Sequence, residues 1–240
     1  MAETGDTAHS SANASVENLT VLPITTVDIL EILAAGLRDF RAAPLYGLTV
    51  GGIYMMGGWI LILLLVLFDL PYLVYPLAAG FAFIAPFISA AFYAISRNLE
   101  KNEPLSWKGI ATSVAESARR DIRWMALVTG FSLFIWMDIA ALLFFGFLGL
   151  NTLSAHDLLR EIFTTPMGLM FLVIGNSVGA VIALAVFSFS AISFPMLFDR
   201  DIDFVTAMIT SVKLVLTNRI PMVLWCAIIA GLVALSLLSG

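Results

Sequence analysis

Five stretches of this chain are long and apolar enough to cross the hydrocarbon of a bilayer, and they constrain its fold more than any other feature. They run from Leu45 to Phe68, Tyr72 to Ser96, Trp124 to Leu148, Met167 to Phe194, and Met222 to Leu238. About 20 helical residues, rising about 1.5 Å each, cover the roughly 30 Å of hydrocarbon. Four of the five hold no charged residue at all, and the third holds only Asp138. Lipid offers no hydrogen bonds to an open backbone, so each stretch must close its own as a helix. Of all residues, 60% are apolar and 12% charged, about half the charged share of a soluble domain. The expected fold is therefore all-α, a polytopic transmembrane helix bundle of five spans occupying residues 23–240. Residues 1–22 have no Lys or Arg and are rich in Ala, Ser, Thr and Asn. They lack the basic start and apolar core of a signal peptide and read as a disordered cytoplasmic tail.

Between the spans lie helical patterns too polar to cross. From Thr26 to Arg41, Leu30, Leu33, Leu37 and Phe40 recur at three- and four-residue spacing beside Asp28, Glu31, Arg38 and Asp39, the signature of an amphipathic helix. Ser106 to Arg123 repeats it, with Ser106 as N-cap, and so does Asp203 to Asn218. These helices are expected along the interface, apolar face in the acyl boundary or against the bundle. Ser154 to Phe163 is a shorter version on the other side. The residues Asp69-Leu70-Pro71 leave room only for a tight hairpin between the first two spans, and Pro76 and Pro86 are expected to kink the second.

Of the 12 Lys and Arg, 11 fall in the connections on one side, Arg160 being the exception. The positive-inside rule then puts the N-terminus in the cytoplasm, in a bacterial inner membrane. The unit of interfacial helix plus span occurs three times. Thr112-Ser113-Val114 and Thr210-Ser211-Val212 hold equivalent places, and Ala42-Ala43-Pro44 and Arg219-Ile220-Pro221 end the first and third helices alike. The first two units continue into a return span, whereas the third stops at Gly240: either the odd fifth helix ends the protein outside, or a sixth span is missing from this chain.

Three runs carry a family resemblance: Arg38-Asp-Phe-Arg-Ala-Ala-Pro44, Tyr93-Ala-Ile-Ser-Arg-Asn-Leu-Glu100 followed by Glu103-Pro104, and Ser193-Phe194-Pro195-Met-Leu-Phe-Asp199-Arg200-Asp201. They resemble the proteobacterial integral membrane proteins grouped as a domain of unknown function, some of which are labelled cytochrome c oxidase subunits. The resemblance covers Asp28 to the C-terminus and is most specific from Phe194 to Asp201. It implies six spans and a closing Gly-His-x-x-Trp-His segment, absent here, and no established activity. A haem-copper centre needs several imidazoles within the bundle. The two histidines are His9 in the tail and His156 in a loop, so the resemblance implies at most an accessory or assembly role.

Among candidate sites Asp138 is foremost, because a carboxylate deep in a span costs about 2.5 to 3.5 kcal/mol on insertion scales unless it is paired or protonated. It is expected to face the bundle interior and to bond Asn176 or Ser177, whose depth matches its own, with Gly175-x-x-x-Gly179 allowing close approach. A structural clasp is the simpler role for this cluster and a proton or cation relay the sharper one. Asp199-Arg200-Asp201-x-Asp203 only superficially resembles a calcium loop, since Phe204 replaces its Gly and no Glu closes it. Its acids are expected to cap the next helix, and Arg200 to anchor the span. Lys101, Lys108, Arg119, Arg120 and Arg123 form a basic cluster for anionic lipid. Gly47, Gly51, Gly52, Gly57 and Gly58 suggest tight helix packing in the first span, Met55 and Met56 core filling, and Cys226 a small apolar residue. No metal site and no cofactor are implied. The expected partners are membrane lipids and other membrane subunits, with nucleic acid excluded by the net charge of -5. No nucleophile with its base, phosphate-binding loop or dinucleotide fingerprint occurs, so an enzyme is not expected. An accessory or assembly factor leads, and a small transporter or channel using Asp138 is the alternative.

Overall fold

A computed structural model of the chain describes residues 20–68, 74–119, 121–149 and 155–239. Most of the expected tail, the hairpin at Asp69-Leu70-Pro71, Tyr72 and Arg120 lie outside them. Among the described residues there are ten helices and no strand. In chain order they are α1 (Thr26–Ala42), α2 (Pro44–Leu67), α3 (Val74–Glu100), α4 (Trp107–Arg119), α5 (Ile122–Leu148), α6 (Ala155–Thr164), α7 (Pro166–Ser190), α8 (Ser193–Asp199), α9 (Phe204–Thr217) and α10 (Arg219–Ser239).

Helix ends follow side-chain chemistry. Thr25 caps α1 in a capping box: Asp28 N–H donates to Thr25 Oγ1 at 3.3 Å and Thr25 N–H to Asp28 Oδ2 at 2.7 Å. Ser106 caps α4 as expected, its Oγ accepting from Gly109 N–H at 3.1 Å. The helix α3 closes in a Schellman turn, Glu103 N–H reaching Asn98 C=O at 2.9 Å and Asn102 N–H reaching Leu99 C=O at 3.1 Å. Asn102 takes the left-handed conformation this turn needs, φ 53°. The amphipathic helix expected through Arg123 instead stops at Arg119. Ile122 and Arg123 already belong to α5, because Ile122 and Met125 insert fully into the core.

Among the described residues, four helical runs are apolar and long enough to span a membrane: Pro44–Leu64, Ile122–Leu148, Pro166–Asp199 and Arg219–Ser236. At most 11% of any of these windows is buried within the protein, so their apolar side chains face outward and require an apolar medium. Met55 and Met56 illustrate this. Both are exposed, at 60% and 59%, so they do not fill the core as expected. Nor do the glycines of α2 pack uniformly. A Cβ on Gly47 would meet the Phe40 ring at 3.1 Å, but one on Gly52 would meet nothing within 4 Å.

The chain packs as two units, Met1–Ala126 with Ser188–Gly240, and Leu127–Phe187. In the first, α3 packs against α1, α2, α4 and α8, and α9 against α8 and α10. One core cluster joins Ala90 and Ala94 of α3, Ile122 and Met125 of α5, Leu197 and Phe198 of α8, and Ala207 of α9. A second joins Ala43 and Val50 to Ala91, Ile95 and Ile110. Tyr46 ties α2 to the turn before α4, donating to Leu105 C=O at 3.0 Å and stacking 4.4 Å from Trp107. In the second unit, Phe171 of α7 meets Phe144 and Phe147 of α5 at 6.1 and 6.4 Å, and Trp136 lies against Gly179, where a Cβ would come within 2.9 Å of the indole.

The expected fourth span, Met167 to Phe194, breaks at Ala191 and Ile192. Ser211 of α9 explains how. In an unbroken helix Ile192 N–H would donate to Ser188 C=O. Instead it donates to Ser211 Oγ at 3.3 Å, and that hydroxyl donates to Ser188 C=O at 2.8 Å. A hydroxyl inserted into the ladder separates the turns while satisfying both ends. Pro195, without an N–H, tolerates the same opening three residues on.

Candidate functional site

The break brings α8 beside α3 and α9. Leu197 and Phe198 are buried at 2% and 7% exposure, and Phe194 packs on the same core. Phe198 lies 5.8 Å from the Tyr93 ring, with the Arg97 guanidinium 6.0 Å above its centroid. Tyr93 and Arg97 stand one turn apart on α3, so two runs separated by about a hundred positions in the chain meet around a single aromatic ring.

On the outer side of α8 a cavity of about 650 Å³ opens. Ile192, Pro195 and Met196 line one wall, and Thr210 and Leu214 of α9 line another. Asp199 and Arg200, both exposed, stand at its edge. The remaining wall is an extended strap, Thr20, Val21, Leu22 and Ile24. Asn218 holds the strap. Its Oδ1 accepts from Ile24 N–H at 2.6 Å, and its Nδ2 donates to Leu22 C=O at 3.1 Å and to Leu214 C=O at 3.2 Å. Only 5% of Asn218 is exposed. Its amide thus reads the backbone of an extended segment in both directions, as a neighbouring strand would.

The acidic loop behaves partly as expected. Asp203 caps α9: its Oδ1 accepts from Thr206 N–H at 2.9 Å, and its Oδ2 from the Thr206 hydroxyl. Burial pushes the Asp203 carboxyl up, but the hydrogen bonds from Thr206 and neighbouring backbone outweigh it and hold the group below its ordinary range.

The polar side chains expected beside Asp138 bond to their own helix. Asn176 Nδ2 donates to Leu172 C=O and Ser177 Oγ to Val173 C=O, each at 2.7 Å and each within α7. Trp136, Ala140 and Leu143 line a cleft of about 210 Å³ with Phe171, Gly175 and Asn176. At 3.6 residues per turn, Asp138 stands about 160° around α5 from Trp136 and Ala140. Asp138 is exposed. Lys101, Lys108 and Arg123 are exposed, Arg123 lying 5.6 Å over the Trp124 ring. The Arg119 side chain and Arg120 lie outside the described residues.

A helical chain with long outward-facing apolar runs and a buried motif at the end of one of them defines an integral membrane protein. Residues 74–199 match the family described as Predicted integral membrane protein (DUF2189), and the chain belongs to that family. No curated protein and no solved structure matches it. The match ends at Asp199, so it takes in Tyr93, Arg97 and Phe198 but neither the strap nor Asn218. The sequence marks Ser211 only as part of a repeated run and Asn218 only as a helix end, and gives Gly168 no mark at all. The available signal was a small or amide residue at a junction between apolar helices, where backbone groups need partners.

Proposed function

We infer that this chain is a non-catalytic accessory or assembly factor of a bacterial inner membrane, crossing it five times with its N-terminus in the cytoplasm. The 27 residues of α3 supply the fifth span beside the four apolar runs. The distribution of Lys and Arg supports the orientation.

One observation carries the functional reading: the apolar stripe that α5 leaves uncovered. Leu127, Phe131, Phe134, Ile135, Leu142 and Phe145 are exposed along one stripe of α5, and Asp138 stands within that stripe. It lies about 15 Å from Leu148 at about 1.5 Å per residue, well inside the hydrocarbon. A second membrane subunit packed along this stripe covers its aromatic and aliphatic side chains together with the carboxylate. The family resemblance makes a respiratory oxidase the first complex in which to look for it.

Mild detergent extraction followed by co-purification tests this. The wild-type chain is expected to bring down a membrane partner in stoichiometric amount, and the double variant Phe131→Ala, Phe134→Ala to lose most of it while inserting normally. A chain that purifies alone and supports ion or solute flux in proteoliposomes supports instead a small transporter with Asp138 lining its path.

A further inference from the structure

We propose that the cavity between the strap and α8–α9 is a binding site for a phospholipid with an amine-bearing headgroup. Its position comes first. From Pro166 to Phe198 the chain has no charged residue, and Asp199 and Arg200, at the cavity edge, are the first that follow. The cavity therefore lies where apolar helix gives way to water, the level at which headgroups sit. Its chemistry runs the same way. Half-buried Ile192, Pro195, Met196 and Leu214 offer an apolar wall, and the charges are confined to the exposed edge. That gradient matches an amphiphile and not a free ion or sugar. At about 650 Å³ the space falls within the usual 300 to 1,000 Å³ for small-molecule sites. It admits a headgroup and part of an acyl chain.

The edge also selects the headgroup. The planar guanidinium of Arg200 offers paired donors suited to phosphate oxygens. Its neighbour Asp199 disfavours further negative charge and attracts an ammonium. Asp201 and Asp203 follow in the same loop, three carboxylates to one guanidinium. A net-anionic lipid meets repulsion there, whereas a zwitterion presents its phosphate to Arg200 and its amine to Asp199. The strap completes the wall, so the site exists only while Asn218 holds residues 20–24 in place.

Native mass spectrometry of the purified full chain in detergent tests the assignment, with phosphatidylethanolamine, phosphatidylglycerol and inorganic phosphate added separately. One phosphatidylethanolamine per chain is expected to survive, in preference to phosphatidylglycerol, and phosphate alone is not expected to compete. Arg200→Gln, an exposed substitution that leaves the fold intact, is expected to weaken retention about tenfold, the scale of one charge-assisted hydrogen bond. Asp199→Asn is expected to erase the preference between the two lipids. Equal lipid retention by wild type and Arg200→Gln overturns the proposal. So does a wild-type chain that holds no lipid, or competition by inorganic phosphate, which would mark a simple anion site.

Discussion

Gly168 has no space for a side chain. A Cβ there would lie 2.2 Å from Glu161 C=O and 2.5 Å from Ile162 Cα, because α6 and α7 are joined through the single residue Thr165. Thr165 Oγ1 caps the turn, accepting from Gly168 N–H at 3.0 Å. Backbone cannot yield as a flexible side chain does, so Gly168→Ala is expected to cost at least about 3 kcal/mol. Gly36→Ala in α1, where nothing lies within 4 Å, is expected to be neutral or to stabilise by up to about 1 kcal/mol. Thermal melts of the two variants in one detergent measure the contrast. Asp203 gives a pH-dependent case. Its carboxyl is held below the ordinary range, so the charged cap contributes stability above the unfolded value, near pH 4. That contribution is lost as pH falls through the depressed folded value. Asp203→Asn is therefore expected to abolish the acid-side dependence of α9 amide exchange, a comparison that hydrogen exchange reads directly. Part of this was legible in the sequence: the acidic loop was read as a cap. The demand for glycine at 168 was not, because it arises from a corner between two helices and not from any local pattern.

The strap and the corner that holds it belong to the scale of elements. Ala43 and Asn218 are single-residue corners with nearly the same backbone, φ -135° and ψ 55° against φ -113° and ψ 46°. At each, the corner N–H donates to the carbonyl four residues back at 3.0 Å. The likeness of Ala42-Ala43-Pro44 to Arg219-Ile220-Pro221 is not the source of this turn, because Pro44 directly follows its corner whereas Pro221 stands three residues after Asn218. The two differ in side chain: alanine fills the core, whereas asparagine turns its amide to the strap. Removing that amide leaves Ile24 N–H and Leu22 C=O without their partner. Asn218→Ala is expected to free the strap, so that limited proteolysis cuts within residues 20–25 in the variant and spares the wild type. Asn218→Asp retains an acceptor for Ile24 but no donor for Leu22, and an intermediate rate is expected. Helix positions were largely legible, since hydrophobic period and caps are local. The break between α7 and α8 was not, because it is imposed by Ser211, 19 positions beyond Ile192.

At the scale of the whole molecule, the outward-facing apolar runs leave one question of topology on which orientation depends: whether α3 crosses the membrane. Its residues from Ile84 onward alternate between contact and exposure, with Ala90, Ala91, Ala94 and Ile95 buried in the two core clusters. The small residues let α8 and α2 approach, so packing within the protein, more than lipid, surrounds this half of the helix. That is a reason for a span to carry Ala in place of Leu. A crossing α3 places Phe68 and Lys101 on opposite sides. Cys226 is the only cysteine of the chain, and it is half-buried in α10. A Cys226→Ser background therefore gives a clean host for single-cysteine labelling. With a membrane-impermeant maleimide on intact cells, a cysteine at position 68 is expected to label at once and one at position 101 only after lysis. Labelling of both from one side sinks the five-span arrangement, and with it the cytoplasmic placement of the cavity beside Arg200, because the 11 basic residues then no longer share a face.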